Sequence, residues 1–365
     1  MKDRRDITLK KVLKIIGIVV LVLVIIVVSY ALYLVFSYNR IEDYQALIPK
    51  KGAVETEVHT GTVYTAVTQN CGFGAYTPDF TFFMDGGTQS WANSKESAIS
   101  CIDQAAAEIQ SFDPDFVFVQ EVDFDSTRSY HVDQQAQLES AFPGYDSVFA
   151  VNYHSAFLMY PFHQPHGFAN SGILTLSDVQ INSAVRRSLE ISSSFSKFLD
   201  LDRCYSVSRI PVENGKELVL YNIHASAYGG SDEIRTSQMT QLFSDIHSEY
   251  KKGNYCVCGG DFNHDFTGDS TIVLSGGGKT DFGWAQPFPE ELLPDGVSRC
   301  IDYDDPELIA TCRNCDVPYG PDCQTFVLDG FLVSDNVKVQ SVRNIDTGFV
   351  YSDHNPVVLR FELEP

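Results

Sequence analysis

Two short stretches of the chain carry side chains that hydrolytic chemistry uses. Tyr255-Cys256-Val257-Cys258-Gly259-Gly260-Asp261-Phe262-Asn263 is an apolar run that stops in two glycines and then presents Asp-x-Asn. Tyr351-Ser352-Asp353-His354-Asn355-Pro356 sets an Asp-His pair at the entrance of a second apolar run, Val357-Val358-Leu359. Side chains two apart on an extended backbone face the same way, so Asp261 and Asn263 point into one pocket. The glycine pair allows a sharp exit and the close backbone approach that a phosphate or metal site requires. Gly, Asp and Asn also make ordinary strand-ending turns, and either stretch alone would be read that way as readily.

Four more apolar runs have polar tips of the same kind. They are Val67-Thr68-Gln69-Asn70, Phe116-Val117-Phe118-Val119-Gln120-Glu121, Leu218-Val219-Leu220-Tyr221-Asn222-Ile223-His224 and Phe326-Val327-Leu328-Asp329-Gly330. Buried ionisable groups are costly unless they share partners or a cation, so the tips are expected to converge on one cleft. Helices are expected over 94–110 and 231–252, each with an apolar stripe at helical spacing. Strand runs that follow one another directly, as at 204–210 and 217–223 around Asn214-Gly215, argue for mixed sheets and against a regular doubly wound fold.

The elements that must position this cleft follow an unusual leader. Ile15 to Tyr38 has no charged residue for about 24 positions, long enough as a helix to cross a bilayer core of about 30 Å. Lys2, Arg4, Arg5, Lys10, Lys11 and Lys14 precede it. The expectation is a cytoplasmic basic segment over 1–14, a transmembrane helix over 15–38, a tether over 39–61 and a catalytic domain over 62–365 outside the cytoplasm. The first forty residues are net basic by about 5, which leaves about −27 of the total −22 for the remainder. Such a surface repels polyanions at long range, which speaks against a nucleic-acid partner without excluding one.

Of the nine cysteines, Cys300, Cys312, Cys315 and Cys323 lie in a loop-rich stretch, where one or two disulfides are expected, with a structural zinc as the rival. Tyr153 to Phe168 is rich in aromatics and histidine and is expected at the cleft rim; a second metal on His154, His163 and His166 is the minor reading. Asp302, Asp304, Asp305 and Glu307 resemble a cation site, although such a run in a loop is ordinarily solvated; a structural Ca2+ is the remaining cofactor expectation.

The GGDFN and SDHNP elements, with QEV, NIH and LDG at the expected places, resemble the endonuclease/exonuclease/phosphatase superfamily of metal-dependent phosphoesterases from about Val63 to the C-terminus. The resemblance implies an α/β fold, a four-layer α/β/β/α sandwich of two mixed sheets with helices on both outer faces. It implies Glu121 as principal ligand of Mg2+ or Mn2+, with Asn70 and Asp353 near the metal. Asp261 matches the water-orienting acid, His224 and His354 the two histidines, and Asp329 the residue that holds His354. Asn70, Asn263 and His224 lie on the phosphate side. Whether Asp261 or His354 takes the water proton is left open by the residues. The implied activity is hydrolysis of phosphate esters by a membrane-tethered phosphodiesterase of nuclease type. A phospholipase C or sphingomyelinase type acting on phospholipid head groups is the alternative, and an inactive binding module on the same fold the rival. The expected partners are that substrate and the membrane, with no protein partner. Two departures stand out: no mid-chain Glu can be assigned to orient His224, and no basic stripe is visible.

Overall fold

The computed structural model describes residues 2–227, 231–274, 285–302 and 308–365. The chain opens with α1 (Lys2–Ser37), whose stretch Leu9–Ser37 has a mean hydropathy of 3.2 and is long and apolar enough to cross a membrane. Thirteen strands then build two sheets: β1 (Gln45–Leu47), β2 (Val63–Asn70), β3 (Phe116–Asp123), β4 (Asp146–His154), β5 (Asn170–Ser177), β6 (Ser183–Ser188), β7 (Cys204–Pro211), β8 (Glu217–His224), β9 (Tyr255–Asp261), β10 (Val297–Cys300), β11 (Asp329–Ser334), β12 (Val337–Asn344) and β13 (Val357–Leu363). One sheet runs β1-β6-β7-β8-β9-β11-β10 and the other β12-β13-β2-β3-β5-β4. Both are mixed, with β2–β3 and β8–β9 parallel.

Alternation along the strands sorts the apolar residues into layers. Phe116, Phe118, Val148, Leu359 and Phe361 of one sheet meet Leu218, Leu220, Val257, Phe331 and Val333 of the other, all buried, in the central core. The outer face of the first sheet packs Val219, Tyr221 and Cys256 under Met239, Leu242, Phe243 and Ile246 of α4 (Asp232–Lys251). The outer face of the second packs Val67, Val117 and Val119 under Ile102, Ala105 and Ile109 of α2 (Lys95–Gln110), with Leu138 of the short α3 (Gln134–Ala141) beside them. The result is the expected α/β/β/α sandwich. Both long helices start where the sequence places them, because Ser94 and Ser231 cap the first turns by accepting from the Ser97 and Ile234 amides.

One expectation is refined and one is corrected. The polar stretch 39–61, expected as a tether in which some ordered structure is possible, is laced along the sandwich: β1 pairs with β6, Lys50 and Ser147 exchange backbone hydrogen bonds of 2.8 and 2.9 Å, and Val58 is fully buried in the central core. Its polar residues mask Leu47, Ala53 and Val58, which pack inward. All nine cysteines are free and eight are buried. Cys300 belongs to β10 in the core, and the Cys315 thiol faces Asp353 at 3.8 Å, so the loop-rich composition of that stretch conceals packed positions. The residues Asp304, Asp305 and Glu307 of the acidic run lie outside the described part.

Candidate active site

Six strand ends meet at one rim of the sandwich. The parallel strands β2 and β8–β9 end there in Asn70, His224 and Asp261, and β3 brings Glu121 to it. The antiparallel β11 begins there with Asp329, and Asp353-His354 lead into β13. His224 lies opposite Asp261 in the register, and Asp261 opposite Asp329. Gly260 is required for this approach, since a Cβ there would stand 2.1 Å from the Ile223 carbonyl oxygen. Glu121 is aimed by a bulge between Val119 and Val122 and sits at φ +54°, a left-handed backbone that glutamate adopts only under constraint.

Asp261 is the hub. Its carboxylate accepts from the Asn263 amide N–H at 2.9 Å, from Asn263 Nδ2 at 3.2 Å and from Asn70 Nδ2 at 3.0 Å. His224 Nε2 stands 3.6 Å and His354 Nε2 3.9 Å from the same oxygen. His224 Nε2 is also 3.8 Å from Glu121 Oε1, which Asn70 Nδ2 approaches at 3.4 Å. Behind His354, Nδ1 is 2.8 Å from Asp329 Oδ2, a pairing that fixes the ring and its tautomer. Asp353 packs against Gly72, where a Cβ would meet its Oδ1 at 2.6 Å.

Electrostatics separate the two histidines. Burial works against a charged His354, but Asp329 and the neighbouring anions prevail and hold its pKa well above the ordinary range. His224 is pushed well below its ordinary value by burial and by Arg203, His354 and Arg128, so it is neutral. Burial raises Asp261, reinforced by Asp329, and raises Asp353, opposed by His354 and reinforced by Glu121. Crowded, desolvated carboxylates are what a hard cation relieves. Among the described residues Asp261, Asp329 and His354 form a compact group of metal-type side chains. Asp329 is committed to His354, however, and an imidazolium repels a cation. Glu121 and Asp353 also line the cleft, Glu121 near enough to act on the Asp353 carboxyl, and their oxygens suit a hard divalent ion better.

The chain matches the model of the Endonuclease/Exonuclease/phosphatase family over residues 67–354, a span that runs from β2 to His354. The chain belongs to that family. Its members among solved structures share the fold at low identity. The endonuclease/exonuclease/phosphatase from Beutenbergia cavernae DSM 12333 is 16% identical with a TM-score of 0.54, covering 83% of this chain and 72% of its own. ANGEL2, a 2',3'-cyclic phosphatase, is 15% identical with a TM-score of 0.55, covering 87% and 100%. Humanized D. rerio TDP2 is 14% identical with a TM-score of 0.51, covering 82% and 99%. A comparison with curated proteins found no match.

All eight residues singled out from the sequence line or back this family cleft, which has a volume of about 310 Å3. The structure adds residues that the sequence did not indicate. Asn152 of β4 reaches His224 Nδ1 at 3.5 Å, occupying the place for which no glutamate could be found. Three buried arginines, Arg128, Arg203 and Arg313, line the walls. Arg128 is clamped by both oxygens of Asp123 at 2.9 and 3.1 Å, whereas Arg203 keeps a buried Nε without a partner. An isolated Asn on a strand and scattered arginines carry no spacing signal. His154, His163 and His166 do not gather: His166 bonds Ser90 at 3.1 Å, and His154 stacks on Tyr38.

Proposed function

We propose that the chain is a divalent-metal-dependent phosphodiesterase, held in a membrane by α1 with its catalytic domain outside the cytoplasm. The convergence of Asn70, Asn263, His224 and His354 on the Asp261 carboxylate supports this reading most directly. Asp261, steadied by the two amides, orients the attacking water and accepts its proton. His354, kept cationic by Asp329, donates to a phosphoryl oxygen and steadies the charge that develops there. Neutral His224 donates its one N–H or accepts, as its contact with Asn152 dictates, and with Asn70 and Asn263 it orients the phosphate. A Mg2+ ion held by Glu121 and Asp353, with Asn70 beside it, would make phosphorus more electrophilic and neutralise the leaving oxygen.

The test uses the full chain in detergent with bis(p-nitrophenyl) phosphate and Mg2+. Hydrolysis is expected, with loss of at least about a thousandfold on Asp261→Ala and on chelation, and recovery on adding Mg2+ back. Unchanged turnover in Asp261→Ala overturns the assignment. Protease digestion of intact cells checks orientation, since an outward domain is degraded. A nucleic-acid phosphodiester is the second reading, favoured by D. rerio TDP2, a relative of this fold complexed with single strand DNA product at a TM-score of 0.50. The acidic exterior speaks against it.

A further inference from the structure

The end of α1 is packed against the catalytic domain. Tyr30 and Leu34 are four residues apart and share one face of the last turns, and Tyr38 follows directly after the helix. The Tyr30 hydroxyl donates to the Phe157 carbonyl at 3.0 Å and accepts from the Met159 amide at 3.0 Å, while the Tyr33 hydroxyl accepts from the Phe157 amide at 3.0 Å. Leu34 is buried, Tyr38 meets Phe198 edge-on at 5.2 Å, and Arg40 pairs with Asp202. The helix exit is therefore seated on two loops, 154–168 and 195–199.

The length of the helix then sets the depth of these loops. From Ile15 to Ser29 it rises about 22 Å, less than the ~30 Å of hydrocarbon it must cross. Even with Lys10, Lys11 and Lys14 extended to the inner interface, no length is left for a spacer before Tyr30. Whatever Tyr30 and Tyr33 touch stands at head-group level. The loop they touch carries Met159, Tyr160 and Phe162, of which Phe162 is 82% exposed, an unusual way to leave a phenylalanine in water.

The same two loops form one lip of the cleft. The Tyr160 ring lies 5.7 Å from Phe83, which lies 5.7 Å from His166, and His166 and Met84 line the cleft. From the other loop, Ser196 and Leu199 line it, and Phe195 packs on Phe198 at 5.2 Å. We infer that the lip formed by Met159, Tyr160 and Phe162 is seated in the interface of the membrane that α1 spans, and that the cleft takes phosphodiesters carried by lipids of that membrane. The inference rests on the phosphodiesterase reading above for its substrate, and on the contacts of α1 for its geometry. A lipid surface answers the objection that a strongly acidic domain poses to polyanions: a zwitterionic head group offers one diester at a time, and the exposed apolar side chains supply the attraction.

Two measurements on the full chain in phosphatidylcholine vesicles test it. In the first, the Phe162→Trp variant is compared with the parent in vesicles of brominated phosphatidylcholine. Added fluorescence that is strongly quenched is expected, and added fluorescence that escapes quenching overturns the seating of the lip. In the second, Met159→Asp/Phe162→Asp is assayed on vesicle phosphatidylcholine and on bis(p-nitrophenyl) phosphate. A fall of tenfold or more on vesicles is expected, with the soluble diester changed by less than twofold. Equal rates on vesicles overturn the role of the lip. Parent protein that cleaves the soluble diester together with DNA or RNA but leaves the vesicle lipid intact overturns the lipid substrate. Absence of hydrolysis on every substrate removes the phosphodiesterase reading and the lipid substrate with it, while the quenching result still decides where the lip sits.

Discussion

At the scale of single residues, chemically similar groups of the cleft have different surroundings. His354 has Asp329 at 2.8 Å behind it, whereas His224 has the neutral Asn152 at 3.5 Å and arginines nearby. One ring is thereby a cation and the other is not. Asp329→Asn removes the anion while keeping the shape, so kcat is expected to fall by about 10²–10⁴-fold with KM within a few-fold, and the melting temperature at neutral pH to fall because the buried pair with His354 is lost. Steady-state kinetics beside a thermal melt check this. The Asp261, Asn263 and His354 positions were legible because glycines and an Asp-His pair punctuate apolar strands. Asn152 was not, because its role arises from β4 lying across from β8, a long-range fact that no local pattern encodes. Arg128 was hidden for another reason: its charge is consumed by Asp123, so its place in the wall is known only once both are folded.

At the scale of elements, strand direction places the tips and local irregularities aim them. Period-two alternation and serine caps made the strands and the two long helices readable. The bulge that turns Glu121 into the cleft adds one residue to β3 against β5, and nothing in Val119-Gln120-Glu121-Val122 announces it. The turn after β2 is similar. Gly72 stands at φ +50°, and a Cβ would lie 2.5 Å from the Tyr76 ring and 2.6 Å from Asp353 Oδ1. Gly72→Ala is therefore expected to destabilise the domain by about 2 kcal/mol and to displace Asp353, lowering activity at limiting Mg2+ more than at saturating Mg2+. Urea unfolding and a Mg2+ titration of rate measure the two effects. The cysteine-rich stretch was misread at this scale, since turns and prolines suggested a loop held by disulfides while the thiols serve as small apolar side chains.

At the scale of the molecule, the sandwich has a catalytic rim and an opposite edge where acids collect. Asp178 ends the β5 side of that edge, with its pKa raised to about 7 by burial and by Asp115 and Asp113. An aspartate that is protonated in the fold at a pH where the unfolded chain has released its proton makes stability fall as pH rises, here from about 4 to about 7. Asp178→Asn is expected to raise the melting temperature at pH 8 and to leave it nearly unchanged below pH 4; partial contact with solvent limits the gain to about 1 kcal/mol. Melting curves across that range check the sign.

Under the membrane anchoring proposed above, the lacing of residues 45–58 along the sandwich bears on how the domain could be released. β1 extends one sheet, Lys50 bridges to β4 of the other, and Ala53 and Val58 are buried. A protease that cuts between Asn39 and Asp43 would then release a domain with its seam closed. A cut twenty residues later would unzip the seam as it severed the chain, so proteolytic release and inactivation are separated by less than one strand-turn-strand of sequence.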